Sequence, residues 1–597
     1  MRTSRPNRMT MKSKILIFPA IISSLLLSSG CNTTRYKEKA DAEVYGILAE
    51  RSAEVQGMTD DVNIEKNKEF SMESLPIAGG RLLFLGKESE SEIGSGILDL
   101  ETALGIAFKH SREYQFQKEN LYLEALSLTS NRHEYAPIFS GSVSGNYNWT
   151  QSEEFTTSMK DLTGPSASLL GRYSDMVDRA GNDTRGTVGT GDVSTERSID
   201  GRTTVGMDVL LKGGGRLAVD LTSNFLRFLT GDPNESATSA LVGVFTQPLL
   251  KGAGKDVSAE NLMQAERNLL YQLRDYTRFR KTFSIRVASS YYNVVRNKDT
   301  AKNQFKGLES TRLSLTRERA FLAEGLRTPA QVSRLEQDVL SRESSWTSAV
   351  NRYKNSLDNF KIVVGLPVDL PIVLDDNELT KVAEDGVEQL PITLEEAVEL
   401  ALVSRLDLYT ARDQIEDSQR KIVVAANRFL PQLDLVLIGS VDSKDGNRVI
   451  SPDWQQSDFT AGFDLELPLD RLNERNGYRR ALIDLEVFNR SYTLLEDDIK
   501  LQIRESWRNL EQAKTDYDIN VLALKINESR VEEEDLKQQL GEGSILDMVD
   551  AQNALTNAQT GLTNAIVQHR VAILEFWRDV GLLYIKSNGQ WEEIQDV

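Results

Sequence analysis

Cysteine is nearly absent: the 597 residues contain one, at position 31. A single thiol cannot pair within its own chain, which excludes a disulfide framework. Proline is scarce and unevenly placed, 14 in all, with none in 249–328, 330–366, 392–430 or 469–597. Runs of that length, rich in Glu, Gln, Leu, Ala, Lys and Arg, read as very long helices, because an interior proline costs about 3 kcal/mol there. A chain of ordinary compact α/β enzyme domains is therefore not expected. Positive charge is in deficit too, 70 Lys+Arg against 89 Asp+Glu for a net −19, the reverse of the basic footprint of a nucleic-acid binder. Only three histidines occur, His110, His133 and His569, each without a metal-ligand neighbour at useful spacing. Gly252-Ala-Gly-Lys-Asp256 lacks both the first glycine and the Ser/Thr of a phosphate loop, and Ser142 and Ser144 have no nucleophile elbow around them. Neither an enzyme nor a cofactor is expected.

The N-terminus is informative. Residues 1–30 hold five basic side chains (Arg2, Arg5, Arg8, Lys12, Lys14), no acid, and an apolar run from Ile15 to Leu27. That run is too short for a spanning helix, which needs about 20 residues, so it reads as a secretory signal. Leu27-Ser28-Ser29-Gly30-Cys31-Asn32 follows and resembles a bacterial lipobox, with Cys31 as the expected lipid anchor. An ordinary signal with an incidental cysteine is the alternative. Without the five basic residues of the signal the net charge becomes −24.

Internal correspondences organise the rest. Leu100-Glu-Thr-Ala-Leu-Gly-Ile-Ala107 matches Leu394-Glu-Glu-Ala-Val-Glu-Leu-Ala401 at an offset of 294, and the same offset carries Pro137 onto Pro431. Asp99 and Thr393 stand as cap residues, and Thr393 with Glu396 spells a capping box. A second offset, 216, pairs Tyr291 with Trp507, Gly325 with Gly541, Phe360 with Phe576 and Gly365 with Gly581. The chain reads as an internal tandem repeat, 99–366 and 393–582, joined by a linker at 367–392. It is preceded by a signal (1–30) and an anchored segment (31–98), and followed by a tail (583–597). Each half reads as helix, strands, long helix, turn, helix: about 100–136, 258–324 and 329–364, then 394–430, 471–540 and 546–580. In the anchored segment, about 37–56 looks helical and Pro76 to Gly96 looks like loop.

The strands lie between the first and second helices of each half. Odd positions from Phe139 to Trp149 read Phe, Gly, Val, Gly, Tyr, Trp, while the even ones are Ser and Asn. Leu433, Leu435 and Leu437 alternate likewise, as do Phe459, Ala461, Phe463, Leu465 and Leu467. A two-residue alternation ending in aromatics suits a wall with lipid on one side and water on the other, although a soluble sandwich would show it too. Half one holds an excess: a Gly/Ser/Thr/Asp-rich stretch at about 152–202, expected as an external loop, and a hairpin candidate, Val205–Leu211 with Leu217–Leu221, around Gly213-Gly214-Gly215. The sequence leaves open whether this hairpin joins the wall. Ala551, Ala558, Ala565 and Ala572 recur every seven residues, the 3.5-residue period of supercoiled helices.

Taken in order, the duplicated Gly325…Gly365 and Gly541…Gly581 hairpins, the run Ser544-Ile-Leu-Asp-Met-Val-Asp-Ala-Gln552 and Gln247-Pro-Leu-Leu-Lys-Gly252 resemble the TolC-like outer-membrane efflux family over about residues 95–585. The resemblance implies a mainly α fold with β: a long α-helical barrel of coiled-coil hairpins plus transmembrane β-barrel strands, closed only as a homotrimer. Each protomer would supply four strands to a shared barrel of twelve. It also implies a passive duct in the bacterial outer membrane, anchored in its lipid and reaching into the periplasm, coupled to a periplasmic membrane-fusion adaptor and an inner-membrane transporter. The periplasmic tip is placed at Gly325, Leu326, Arg327, Gly541, Gly543 and Ser544. The aperture is placed at Asp547 and Asp550, with Gln331 and Gln538. Gly543 and Gln331 depart from the family pattern, standing where it has an arginine and an acid. For the two aspartates a solvated helix start is the bland alternative. For the whole chain the alternative is a structural coiled-coil envelope lipoprotein without transport.

Overall fold

The computed structural model describes residues 33–58, 62–65, 75–90, 92–155, 191–230, 235–375, 377–385, 391–444, 452–540 and 542–592. The signal, Cys31, Gly541 and most of the expected external loop lie outside the described residues. The chain divides into two compact units, one of Met1–Thr129, Gln264–Gln419 and Ile483–Val597, the other of Ser130–Met263 and Arg420–Leu482. Both units draw on both halves of the sequence.

The first unit is helical. After α1 (Thr33–Ser52) and the short strand β1 (Gly96–Leu98) come α2 (Leu100–His110) and α3 (Arg112–His133). The long α4 (Glu260–Ala323) turns into α5 (Pro329–Val364), followed by β6 (Ile372–Leu374), parallel to β1, and α6 (Asn377–Asp385). Next are α7 (Leu394–Ser404), α8 (Leu406–Asn427), the long α9 (Leu472–Gln539) and α10 (Ile545–Val580). The caps read from sequence form: Asp99 accepts from Thr102 N at 2.9 Å, and Thr393 and Glu396 close a reciprocal capping box.

Sequence expected one continuous helix at 100–136 and another at 394–430. Each is broken, at Ser111 and at Arg405, both in extended conformation. The cause is tertiary. Gly365, the left-handed C-cap of α5, lies so close to the first break that a Cβ there would fall 2.1 Å from the His110 carbonyl oxygen. Gly581 caps α10 in the same way and faces Ser404. The two breaks are again 294 residues apart, and the helices on either side have equal lengths, 11 and 22 residues in each half. α5 and α10 have 36 residues each. Tyr291 meets Phe360 edge-on at 5.9 Å, and Trp507 meets Phe576 at 5.7 Å. Below the first break, Phe108, Tyr114, Tyr276 and Phe283 form a buried aromatic cluster. Each such ring contributes about 1.5–3 kcal/mol by leaving water.

The second unit contains one six-stranded antiparallel sheet, in the order β2 (Ile138–Phe155), β3 (Gly191–Leu210), β4 (Arg216–Phe228), β5 (Glu235–Pro248), β7 (Gln432–Ser443) and β8 (Pro452–Glu466). Two expectations are corrected. The stretch 152–202 is not all loop, because 152–155 and 191–202 are strand, and the hairpin candidate belongs to the sheet as β3 and β4, giving six strands where the resemblance implies four. The reason is visible in the alternation. Ile199, Val205, Met207, Leu217, Val219 and Leu221 share one face, while Gly206, which has no Cβ, leaves room for Asp220 on the other. In the segment before residue 99, regular structure also appears where a loop was expected. A 3₁₀ turn at Leu83–Glu88 packs on α5, with Trp346 Nε1 donating to the Phe84 carbonyl at 2.7 Å, and β1 begins at Gly96.

Gly365→Ala should lower the midpoint of thermal unfolding of the detergent-solubilised protein. At φ +84°, with backbone in the way, the loss is at least about 2 kcal/mol. Unchanged melting would remove the break at Ser111 from its place as a packing site for the cap.

Candidate functional site

The turns between α4 and α5 and between α9 and α10 carry the tip residues read from sequence. Gly325 takes φ +72°, Leu326 is exposed, and its N–H bonds back to the Phe321 carbonyl at 2.9 Å, closing α4. Thr328 and Gln331 then form a capping box ahead of Pro329. Gln331 is thus engaged at the start of its own helix. Gly543 is buried with no room for a side chain, since a Cβ would lie 2.8 Å from the Gln538 backbone nitrogen. Ser544 caps α10, accepting from Leu546 N at 3.2 Å. Asp547 and Asp550 are both exposed on the first turns of α10, and Asp547 also lies where the helix dipole favours a carboxylate.

Sequence reading did not foresee how the two hairpins are joined. Arg327 Nε donates to Glu318 Oε2 at 2.8 Å, and its Nη2 donates to Gln538 Oε1 at 3.3 Å on the other hairpin. Glu318 is only 2% exposed and Gln538 is buried, so the guanidinium is the charge partner that makes a buried carboxylate tolerable. Of the four residues placed at the aperture, the structure brings Gln538 to Arg327, leaves Gln331 in its own cap, and leaves the two aspartates exposed. A second ion pair, Arg317 with Asp535 at 3.3 Å, spans the same hairpins.

Above the tip, α10 lies antiparallel to α4 in constant register. Gln552 bonds Ser310 and Thr311, Thr563 bonds Asp299 at 2.6 Å, and the Gly581 carbonyl accepts from Lys281 Nζ at 2.7 Å. Each step along one helix is matched by an equal step back along the other. Ala551, Ala558 and Ala565 are buried, as their seven-residue spacing requires. α8 is held to α4 by charge: Arg274 and Arg267 meet Asp413, and Arg278 meets Asp407.

A cavity of about 650 Å³ opens beside this ladder, lined among others by Arg278, Lys281, Arg405, Asp407, Asp498 and Asp579. Burial works to raise the Asp407 carboxyl, but the Arg405 and Arg278 guanidiniums outweigh it and hold it below its ordinary value. Burial, aided by Arg278 and Arg280, pushes the Lys281 ammonium down to about 8. Arg280, 1% exposed, donates to the carbonyls of Ile585 and Lys586, and Ser284 donates to that of Gly589 at 2.8 Å. Residues 581–589 are thus fastened along α4. Among the described residues no three His, Cys, Asp or Glu side chains gather as a metal site, and no helix is long and apolar enough to cross a membrane.

In the sheet, register decides the faces. Residues opposed in the ladder point the same way, and from β2 to β8 odd meets odd and even meets even, except past the register shift between Val441 and Ser443, where Ser443 pairs with Pro452. The odd face carries Phe139, Tyr147, Val205, Leu221, Phe245, Leu435 and Phe463 in one continuous apolar surface, with Phe139 74% and Phe463 72% exposed. The even face is mixed, with Val244, Val436 and Ile438 beside a set of polar pairs. Asn146 and Asn148 donate to Asp200, Arg202 to Asn224, and Arg216 to Asp208.

No family model matches the chain, and no curated protein matches it by sequence. Solved structures do. The CmeC outer membrane channel of Campylobacter jejuni superposes with a TM-score of 0.55 at 14% identity, over 83% of this chain and 87% of that one. VceC, an outer membrane protein of Vibrio cholerae, gives 0.54 at 14%, over 81% and 96%. The open state of the MtrE outer membrane channel of Neisseria gonorrhoeae gives 0.52 at 14%, over 82% and 90%. The chain has the TolC-like channel fold.

Two outcomes are expected. Arg327→Met should destabilise the hairpin pair by about 3 kcal/mol, read as lost hydrogen-exchange protection in 318–332 and 535–548, and adding Glu318→Met should recover most of it. A single variant as stable as the parent would refute the pairing. For Lys281, the folded value of about 8 lies below the ordinary 10.5, so the unfolded chain binds more protons between these limits and stability gains as pH rises through them. Relative to Lys281→Met, the parent should therefore gain up to about 3 kcal/mol from pH 8 to 10.5. Parallel pH curves for the two proteins would exclude it.

Proposed function

We propose that the chain is one protomer of an outer-membrane exit duct, a passive conduit of a tripartite efflux or type I secretion system. One observation carries the reading: a six-stranded sheet with a broad apolar surface on one face and, among the described residues, both edges unpaired, in a chain whose longest helices run 64 and 68 residues. Water on the polar face and lipid on the apolar face would satisfy such a sheet, and an unpaired edge in hydrocarbon would not be tolerated. The neighbouring structures bear names of outer membrane channels, which supports the same location.

In this reading the protein is a homotrimer in the bacterial outer membrane, its helices reaching into the periplasm and Cys31 anchored in the membrane's lipid. The equal helix lengths and shared aromatic pairs at offsets of 294 and 216 support a tandem repeat. A periplasmic adaptor would grip the tip at Gly325, Leu326, Arg327, Gly541, Gly543 and Ser544, where exposed Leu326 and Leu540 offer apolar contact. An inner-membrane transporter would supply the energy and choose the cargo. Asp547 and Asp550, exposed at the start of α10, would gather six carboxylates about a threefold axis and attract cations.

Purified trimer in planar bilayers should give stepwise, cation-selective currents. Silence would favour a structural tether. Asp547→Ala with Asp550→Ala should weaken block by multivalent cations, and unchanged block would take the pair out of the lumen.

A further inference from the structure

We infer that the β3–β4 hairpin is a permanent part of the membrane wall, so that three copies close a barrel of eighteen strands through a junction of β2 on one copy with β8 on the next. The inference rests on the trimeric reading above and extends it to the size of the opening. β4 pairs with β5 over twelve residues and β3 with β2 over eighteen, so neither strand can leave without breaking two full ladders.

The strand count makes this closure possible. β2 pairs only with β3 among the described residues, and β8 only with β7, so both ends of the sheet keep a free hydrogen-bonding edge. Six antiparallel strands leave β2 and β8 running in opposite senses. β8 of one copy therefore meets β2 of the next as one more antiparallel pair. Phe139, Val143, Tyr147 and Trp149 on β2 and Phe459, Phe463 and Leu465 on β8 all belong to the odd face, so joining them extends a single apolar surface. On the even face β2 offers the hydroxyls and amides of Ser140, Ser142, Ser144, Asn146 and Asn148, while β8 offers the carboxylates of Asp458, Asp464 and Glu466. Donors then face acceptors. Two β8 edges placed together would oppose like charges, which disfavours a two-fold pairing. A head-to-tail junction of unlike edges generates a ring.

Barrel diameter grows about linearly with strand number. Eighteen strands therefore give a ring about 1.5 times as wide as twelve, with about 2.25 times the backbone cross-section, and so admit bulkier cargo than the twelve-stranded wall of the resembled family.

Electron microscopy of the full-length protein in detergent, resolved to separate strands, should count eighteen strands around three copies. A trimer with a twelve-stranded wall and the hairpin outside it overturns this inference and leaves the duct standing, whereas a particle without threefold assembly overturns the duct itself. Cysteine pairs on the polar face test the junction separately. Ser142→Cys combined in turn with Asp458→Cys, Thr460→Cys and Asp464→Cys should yield, for the pair in register, a non-reducing ladder that ends at three copies. If native mass spectrometry finds intact trimer and no pair cross-links, the β2–β8 junction is wrong.

Discussion

A strand edge has hydrogen-bonding groups that hydrocarbon cannot satisfy, and this constraint orders the rest of the molecule. A sheet that shows an apolar face to lipid must either close on itself or be closed by other copies. Six strands ordered β2 to β8 show no pairing of β8 back to β2 among the described residues, and the proposed duct takes the second course. In the proposed duct the requirement for partners follows from the strand count and from the register that gathers Phe139, Tyr147, Phe245, Leu435 and Phe463 on the odd face.

The helical unit answers a different demand. Very long helices have little intrinsic stability beyond their packing, and here the packing is specified by polar as much as by apolar contacts. α4 presents Arg267, Arg274 and Arg278 to α8, Ser310, Thr311 and Asp299 to α10, and Arg280, Lys281 and Ser284 to the segment after α10. Apolar burial alone would let two such helices slide by a heptad. Bonds at unequal intervals fix one register, since a shift leaves buried donors and charges without partners.

At the tip the same logic acts across two hairpins. Arg327 serves a carboxylate on its own hairpin and an amide on the other. Arg317 with Asp535 and an apolar cluster that sets Ile545 against Leu308, Leu315 and Leu335 add to the same union. Gly543 and Gln331, where the family pattern has an arginine and an acid, have other tasks in this chain: a close backbone approach to Gln538, and a helix cap. The position that brings charge to the junction is in the first turn, not the second.

Much was legible beforehand because its causes are local. Caps at Asp99 and Thr393, the absence of proline from α4, α9 and α10, the glycine C-caps and the odd–even alternation each act within a few residues, and the two offsets carried them from one half to the other. The breaks at Ser111 and Arg405 were hidden because they lie where Gly365 and Gly581 pack, 254 and 176 residues further along the chain. Glu318, Arg327 and Gln538 met no spacing rule, since two of them lie on different hairpins. The sequence by itself determined the long helices, their turns and the apolar side of β2, β7 and β8, all set by propensity and period. Only the tertiary structure decided that β3 and β4 belong to the sheet, and which charges on α4 meet which partners, because strand pairing and helix register depend on groups that become neighbours only after folding.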